Sequence, residues 1–157
     1  VSIEPLFHGG AQEKSRRAGT ENVAGIVGMA EALREHHECL NQEALYLKSL
    51  ADALLSKLRS AGLDFIVNGS DNRIPGSLSI SFPQINGEML LHRMDLMGTA
   101  IATGAACDSK RTVLSHVIQA IGVPEAYARG TIRITLGMDN SVDQIEAMAQ
   151  QFCAILR

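Results

Sequence analysis

The sequence predicts an α/β protein of an α+β-like kind, with a small mixed or antiparallel sheet against which helices pack. Apolar residues recur at helical spacing in five stretches: residues 23–33, 45–58, 89–94, 115–121 and 145–155. Residues 78–82 and 131–136 instead alternate apolar with polar side chains, which is the pattern of a half-buried strand. One small sheet with the helices packed on it is the simplest arrangement of these elements.

The remaining elements follow from shorter signals. The first helical region has two interpretations: either Leu40-Asn41 breaks it into two helices, or it is one long bent helix. Short strands are expected at residues 65–67 and 99–102. Residues 141–144 have the Ser-x-x-Gln spacing of a capping box, so the last helix is expected to begin there.

Composition restricts the class of protein. The 157 residues include 46% hydrophobic and 20% charged side chains, which suits one soluble globular chain with a real core. A net charge of −3 without a basic stripe excludes a general nucleic-acid binder, and no apolar run approaches the roughly 18 residues of a membrane span. Cys39, Cys107 and Cys153 are an odd number without metal-ligand spacing. We therefore expect no disulfide framework, no metal site and a reducing cytoplasm.

The start of the chain suggests a larger parent. Val1 is not an initiator methionine, and it opens an apolar stretch, residues 1–3, that is typical of the end of a strand or hairpin. We therefore expect the chain to be part of a longer protein.

Cys107 has an unusual local sequence. It follows five small residues, 102–106, and precedes a polar and charged stretch, residues 108–114. Buried structural cysteines usually lie among large apolar side chains, where the thiol stays inert. One interpretation is a small residue that fills a gap. The other is a reactive sulfur on a flexible arm between a strand and the helix that begins at Ser115-His116.

Residues 4–20 form a long loop without periodicity, and such loops tend to be functional or disordered. The loop ends directly before a helical stretch, so Thr20 is expected to be the N-cap of that helix. Backbone donors at a helix start, a hydroxyl, and the nearby Arg16 and Arg17 are together compatible with a phosphate site, which is one interpretation. The alternative is an ordinary capped helix with solvated arginines.

Arg133 is the charged residue of an alternating strand. Apolar side chains are expected on one face (Ile132, Ile134, Leu136) and polar ones on the other (Thr131, Arg133, Thr135). If the polar face is covered, the guanidinium needs a carboxylate or phosphate partner, and its fork geometry suits a carboxylate best. If that face is exposed, an arginine beside threonines needs no ligand.

Several motifs occur together in this chain: residues 8–22 are HGGAQEKSRRAGTEN, residues 103–107 are TGAAC, and residues 132–137 are IRITLG. With Ser115-His116 they resemble the cysteine desulfurases of the NifS/IscS type, which are aminotransferase class-V, fold-type I pyridoxal-phosphate enzymes. The first motif is long and specific, whereas each of the others alone is weak. The resemblance runs in register over essentially the whole chain.

The resemblance implies roles for three residues. Cys107 would be the nucleophile that attacks the sulfur of L-cysteine and leaves as a persulfide, with L-alanine as the other product. Arg133 would hold the substrate carboxylate, and Thr20 would bind the phosphate of the partner subunit's cofactor in a homodimer. The separation of Cys107 from Ser115-His116 is similar to that in members that hand sulfur to an acceptor protein, for example in iron–sulfur cluster assembly.

The resemblance also implies that this chain is only the C-terminal portion of such an enzyme. The family's Schiff-base lysine follows a Ser-x-His segment, and none of the four lysines here has that context: Lys14, Lys48, Lys57 and Lys110. The isolated chain would therefore be inactive. The implied division is a loop and tail of the cofactor domain (1–22), linking helices (23–61) and a small domain with the cysteine loop (62–157).

Two alternatives share these features. A non-catalytic sulfur-carrier or interaction module would accept sulfur on Cys107 without turnover of its own. A selenocysteine lyase of the same superfamily would differ only in its substrate, and the sequence does not separate it from a cysteine desulfurase.

Overall fold

The computed structural model describes residues 4–103 and 114–157. The described helices are α1 (Gln12–Ser15), α2 (Val23–Ser60), α3 (Gly87–Leu96), α4 (His116–Ala120), α5 (Glu125–Ala128) and α6 (Val142–Leu156). The described strands are β1 (Ile66–Val67), β2 (Ser77–Ser81), β3 (Ala102–Thr103) and β4 (Thr131–Thr135). The chain divides into two compact units, Val1–Leu40 and Asn41–Arg157. The threefold division at 22/23 and 61/62 stays a prediction.

The second unit contains a four-stranded sheet in the order β1-β2-β4-β3. Each neighbouring pair of these strands is antiparallel, so the predicted small sheet with packed helices is confirmed in its antiparallel form. The longest pairing joins β2 to β4 over five residues, from Ser77 opposite Thr135 to Ser81 opposite Thr131.

The pairing of β2 with β4 separates apolar from polar side chains completely. On one face Leu78 lies opposite Ile134 and Ile80 opposite Ile132, and each of the four is at most 2% exposed. The other face, called the hydroxyl face below, comprises Ser77, Ser79, Ser81, Thr131, Arg133 and Thr135. Ala102 of β3 extends it, because Ala102 lies opposite Arg133.

Three helices supply the core against the apolar face. Leucines of the second half of α2 are buried there together with residues of α3 and α6: Leu50, Leu54, Leu58, Leu90, Met94, Ile145, Ala149 and Phe152. Phe82 joins the sheet to α6, with its ring centroid 5.6 Å from that of Phe152. The predicted buried stripe of the last helix is confirmed at Ile145 and Phe152.

The first helical region is one helix, α2, which continues for 38 residues without a break at Leu40-Asn41. Ion pairs one turn apart support its exposed length, such as Arg34 Nη1 with Glu38 Oε1 and Lys48 Nζ with Asp52 Oδ2, each at 2.6 Å. The helical period predicted for residues 23–33 is confirmed, but its apolar side chains are exposed: Val23, Ile26, Val27 and Leu33 are 52–63% accessible.

The predicted cap of this helix is wrong. The helix begins at Val23, and Oδ1 of Asn22 accepts from the backbone N–H of Gly25 at 3.0 Å, so Asn22 is the N-cap and Thr20 precedes it by two residues. Asn is as strong an N-cap as Ser or Asp. The predicted capping box of α6 is confirmed, since Ser141 and Gln144 exchange both hydrogen bonds.

The strand predicted at residues 99–102 is shorter and later than expected, because β3 comprises only Ala102–Thr103. Hydrogen bonds to a side chain of α6 hold the segment that precedes β3. Thr99 Oγ1 donates to Oε1 of Gln151 at 2.6 Å, and Nε2 of Gln151 donates to the carbonyl of Met97 at 3.0 Å. Of the helices in the described part of the chain, none has the length and apolar character needed to cross a bilayer.

The packing of α3 predicts a contrast between two leucines. Leu90 is fully buried, whereas Leu96 on the same helix is 87% exposed. Leu90→Ala is expected to lower the free energy of unfolding by about 2–5 kcal/mol, because it leaves a cavity in the core. Leu96→Ala, the same chemical change, is expected to alter it by less than about 0.5 kcal/mol. Urea denaturation followed by circular dichroism measures both, and equal effects would contradict this core.

Candidate active site

The three residues singled out from the sequence fall in different parts of the chain. Thr20 lies in the first compact unit, and Arg133 lies on β4 of the second. Cys107 lies outside the described residues.

The loop before Thr20 has a strained backbone. Glu13, Lys14 and Ser15 have φ values of 52°, 56° and 64°, so three consecutive residues other than glycine are left-handed. Each such residue costs roughly 1–2 kcal/mol, and this kind of strain concentrates at functional sites. Oε1 of Gln12 accepts from the backbone N–H of Gly19 at 3.2 Å and closes the loop across the strained turn.

Arg17 stabilises the end of the same loop. Its Nη1 donates to the carbonyl oxygens of Gly19 and Thr20, each at 3.0 Å. Gly19 has a φ of +103°, which favours glycine, and a Cβ there would touch Nη1 of Arg17 at 3.4 Å. Thr20 itself is exposed, as is Arg16. The loop therefore presents a hydroxyl next to guanidinium groups, one of which also fixes the backbone on which that hydroxyl stands.

Arg133 is exposed on the hydroxyl face of the sheet. It is flanked by two small side chains, Ser79 on β2 and Ala102 on β3. Its neighbours along β4 on the same face are Thr131 and Thr135. Within residues 4–103 and 114–157, no carboxylate forms an ion pair with it. The guanidinium thus has a positive charge with no internal counterion, among neutral side chains.

A chain of hydrogen bonds runs through the covered end of the hydroxyl face. Nδ2 of Asn68 donates to Oγ of Ser79 at 3.0 Å and to Oγ of Ser81 at 2.8 Å. The hydroxyls of Ser81 and Thr131 are 2.7 Å apart, and Thr131 donates to the carbonyl of Ala128 at 2.8 Å. Asn68 is 9% exposed, and its Oδ1 has no hydrogen-bond partner in the described part of the chain.

This network was not predicted from the sequence. Residues 78–82 indicated only an alternating strand, and Asn68 had no predicted role. A signal was present, because both strands alternate in hydroxyl side chains, with serines at 77, 79 and 81 and threonines at 131 and 135. That signal becomes informative only once the register is known, since the register decides which hydroxyl lies beside Arg133.

Strand β3, which directly precedes the cysteine motif in the sequence, pairs with β4 at Arg133. In β3, Ala102 pairs with Arg133 and Thr103 with Ile132. Thr103 is the last described residue before position 104, and Cys107 follows it by four residues in the sequence. On the far side, α4 begins at His116, which is exposed.

The family model for aminotransferase class V matches residues 5–148. Cysteine desulfurase IscS of Dictyoglomus turgidum is 42% identical over 139 residues, a match that covers 88% of this chain and 35% of the relative. A solved NifS-like protein superposes with a TM-score of 0.78 at 34% identity and covers 98% of this chain. The NifS-like protein of Rickettsia africae gives the same TM-score at 31% identity and covers 99% of this chain.

The chain spans only 39% and 40% of those two solved chains, as it spans 35% of the Dictyoglomus relative. The family model nevertheless extends over nearly all of the present sequence. The fold, with its small antiparallel sheet and packed helices, agrees with that of the NifS-like structures. The chain belongs to the aminotransferase class-V family.

Proposed function

We propose that this chain is the C-terminal part of a pyridoxal-phosphate-dependent cysteine desulfurase. The whole enzyme converts L-cysteine to L-alanine and holds the sulfur as a persulfide on Cys107 until an acceptor protein takes it. Family membership and relatives named cysteine desulfurase support this reaction. The observation that carries the proposal is the position of Arg133, on the hydroxyl face and directly across from the strand that leads to Cys107.

Arg133 binds the carboxylate of L-cysteine. A guanidinium can donate two parallel N–H bonds to a carboxylate, and such charge-assisted pairs are stronger than neutral hydrogen bonds. No acidic side chain in the described residues competes for it by an ion pair. β4 is bonded to β2 on one side and β3 on the other, so the backbone under the guanidinium is held on both sides.

Cys107 supplies the nucleophile. Its thiolate attacks the sulfur of the substrate, a new S–S bond forms, and the bond between that sulfur and the substrate's β-carbon breaks. The electron pair of the broken bond remains with the carbon, which takes up a proton and yields L-alanine. Cys107 follows Thr103 by four positions, and four residue steps span at most about 14 Å. This upper limit on the separation supports a nucleophile that acts on a substrate bound by Arg133.

Thr20 binds the phosphate of the cofactor. The exposed hydroxyl of Thr20 and the neighbouring Arg17 are hydrogen-bond donors of the kind that a phosphate accepts. Pyridoxal phosphate, when bound, is an electron sink that stabilises negative charge on substrate carbon. None of the four lysines here follows a Ser-x-His segment, so we place the Schiff-base lysine in a segment of the parent protein that precedes this chain.

The proposal includes partners and a compartment. Persulfide sulfur is passed on when an acceptor thiolate attacks it, so the second substrate is a protein with an accessible thiol. The parent enzyme is a homodimer in which Thr20 serves the cofactor of the neighbouring subunit. A cytoplasmic location suits a reactive thiol that must be reduced between turnovers.

Replacing Cys107 tests the nucleophile. The parent protein incubated with ³⁵S-labelled L-cysteine is expected to form alanine and a labelled persulfide. Cys107→Ser is expected to remove the label and to slow alanine formation by about 100-fold or more, because the hydroxyl is a far weaker nucleophile. Cys39→Ser and Cys153→Ser are matched controls, which should keep both the labelled persulfide and the rate of alanine formation. A parent protein that forms no alanine from L-cysteine, yet takes up labelled sulfur on Cys107 from an external persulfide donor, would instead be a non-catalytic sulfur carrier.

Replacing Arg133 tests the carboxylate site. Arg133→Ala is expected to raise KM for L-cysteine by about 30-fold or more, which corresponds to the loss of about 2–5 kcal/mol from a truncated charge pair. Persulfide transfer to the acceptor should change much less, because that step needs no substrate carboxylate. Arg129→Ala, which removes an exposed arginine just before β4, is the control. An unaltered KM in Arg133→Ala would refute the assignment.

Replacing Thr20 tests the cofactor contact. Thr20→Ala is expected to weaken pyridoxal-phosphate binding by the parent protein by about tenfold, since a hydrogen bond to a charged group is lost. Thr20→Ser keeps the hydroxyl and should bind the cofactor normally. Equilibrium dialysis of the cofactor measures both variants. If alanine and serine weaken binding equally, the hydroxyl does not contact the phosphate.

A further inference from the structure

We propose that Ser79 is a second donor to the substrate carboxylate, beside Arg133, and that Asn68 positions its hydroxyl for this role. The inference rests on the proposed function, because it concerns the same carboxylate. It adds a specificity-determining residue and a positioning residue that lie on β2 and on the turn before it. Three observations lead to it: the register of the sheet, the direction of the hydrogen bonds, and the charges on the hydroxyl face.

The register places Ser79 directly opposite Arg133. Side chains of directly opposed residues in an antiparallel pair share a face, with their Cβ atoms about 4.5–5.5 Å apart. Ser79 is half-buried and Arg133 is exposed. The arginine side chain is long and the serine side chain is short, so a carboxylate lying on the sheet beside Ser79 is within reach of the guanidinium as well.

The hydrogen bonds around Asn68 determine which groups the hydroxyls of Ser79 and Ser81 can donate to. A hydroxyl has one hydrogen to give and two lone pairs. Thr131 gives its hydrogen to the carbonyl of Ala128, so in the 2.7 Å contact between Ser81 and Thr131 the donor must be Ser81. Ser81 is thereby satisfied inside the network. It accepts from Asn68 and donates to Thr131.

Ser79 is in a different position. It also accepts from Nδ2 of Asn68, so its own hydrogen is left over, and no acceptor in the described residues takes it. Asn68 is nine-tenths buried, and its amide is held through the two hydrogen bonds that it donates to Ser79 and Ser81. The buried amide therefore occupies one lone pair of the Ser79 hydroxyl and leaves its hydrogen for a ligand on the face that Ser79 shares with Arg133.

The charges around this pair favour an anion. The hydroxyl face has one guanidinium and otherwise neutral side chains, and Ala102 on the far side of Arg133 leaves space over the sheet. A ligand beside Ser79 and Arg133 meets two groups that have hydrogens to donate, and a carboxylate offers several acceptor positions on two oxygens. Two donor groups from adjacent strands would fix the orientation of a carboxylate as well as bind it.

The experiment measures competitive inhibition of L-cysteine turnover by L-alanine, which has the carboxylate, and by L-alaninamide, which has a neutral amide instead. Ser79→Ala in the parent protein is expected to raise the inhibition constant of L-alanine and the KM of L-cysteine by about tenfold, with kcat little changed. The inhibition constant of L-alaninamide should not change. Ser79→Thr keeps the hydroxyl and should restore normal values.

Ser77→Ala is the matched control. Ser77 lies on the same strand and the same face, but opposite Thr135 instead of Arg133. Ser77→Ala should leave the inhibition constants of L-alanine and of L-alaninamide unchanged. Asn68→Ala should raise the inhibition constant of L-alanine and leave that of L-alaninamide unchanged. In a protein that already has Ser79→Ala it should cause no further increase, because Asn68 acts through the Ser79 hydroxyl. Ser79→Ala tests the donor independently of whether Asn68→Ala folds.

The outcomes separate this inference from the proposed function. If Arg133→Ala discriminates between the two inhibitors but Ser79→Ala affects both or neither, Ser79 is not a carboxylate donor and the inference is overturned while the carboxylate site stands. If Arg133→Ala does not discriminate either, the carboxylate site of the proposed function fails, and the inference fails with it. Selective loss of L-alanine inhibition in both variants supports the inference.

Discussion

The antiparallel register between β2 and β4 is the constraint on which the rest of the second unit depends. It places four branched aliphatic side chains on one face and hydroxyl groups with a single guanidinium on the other. A slip of one residue would exchange the two faces and expose the apolar set, which burial forbids. Gly130 helps to fix the register, since a Cβ there would collide with the carbonyl oxygen of Phe82 at the end of the pairing.

The register also explains how one strand contributes to the core and presents Arg133, the residue proposed to bind the substrate carboxylate. Ile132 and Ile134 are buried against the helices, so the backbone of β4 is held by the hydrophobic core. Arg133 stands between them in the sequence and therefore points to the opposite face. The burial of its neighbours thus fixes the position of a charged side chain that has no ion-pair partner of its own within residues 4–103 and 114–157.

Much of the fold was predictable because its signals are local. The alternation of residues 131–136, the capping box at Ser141 and the helical spacing along α2 each lie within one element. The surroundings of Arg133 were not predictable, because Asn68 and the serines reach their partners from 11 to 58 residues away along the chain. The N-cap was misplaced at Thr20 for a related reason. Threonine and asparagine both cap helices, and local preference does not decide between two candidates two residues apart.

The strand that carries Arg133 and the strand that precedes Cys107 in the sequence differ in how they are held. β4 is bonded on both sides, whereas β3 is an edge strand of two residues with a neighbour on one side only. Persulfide chemistry requires this kind of asymmetry, because the amino acid must stay fixed while the sulfur is first taken from it and then presented to a separate acceptor. In the proposed function, the guanidinium on the inner strand meets the first requirement. Cys107 follows the edge strand by four positions in the sequence, and as the proposed nucleophile it meets the second.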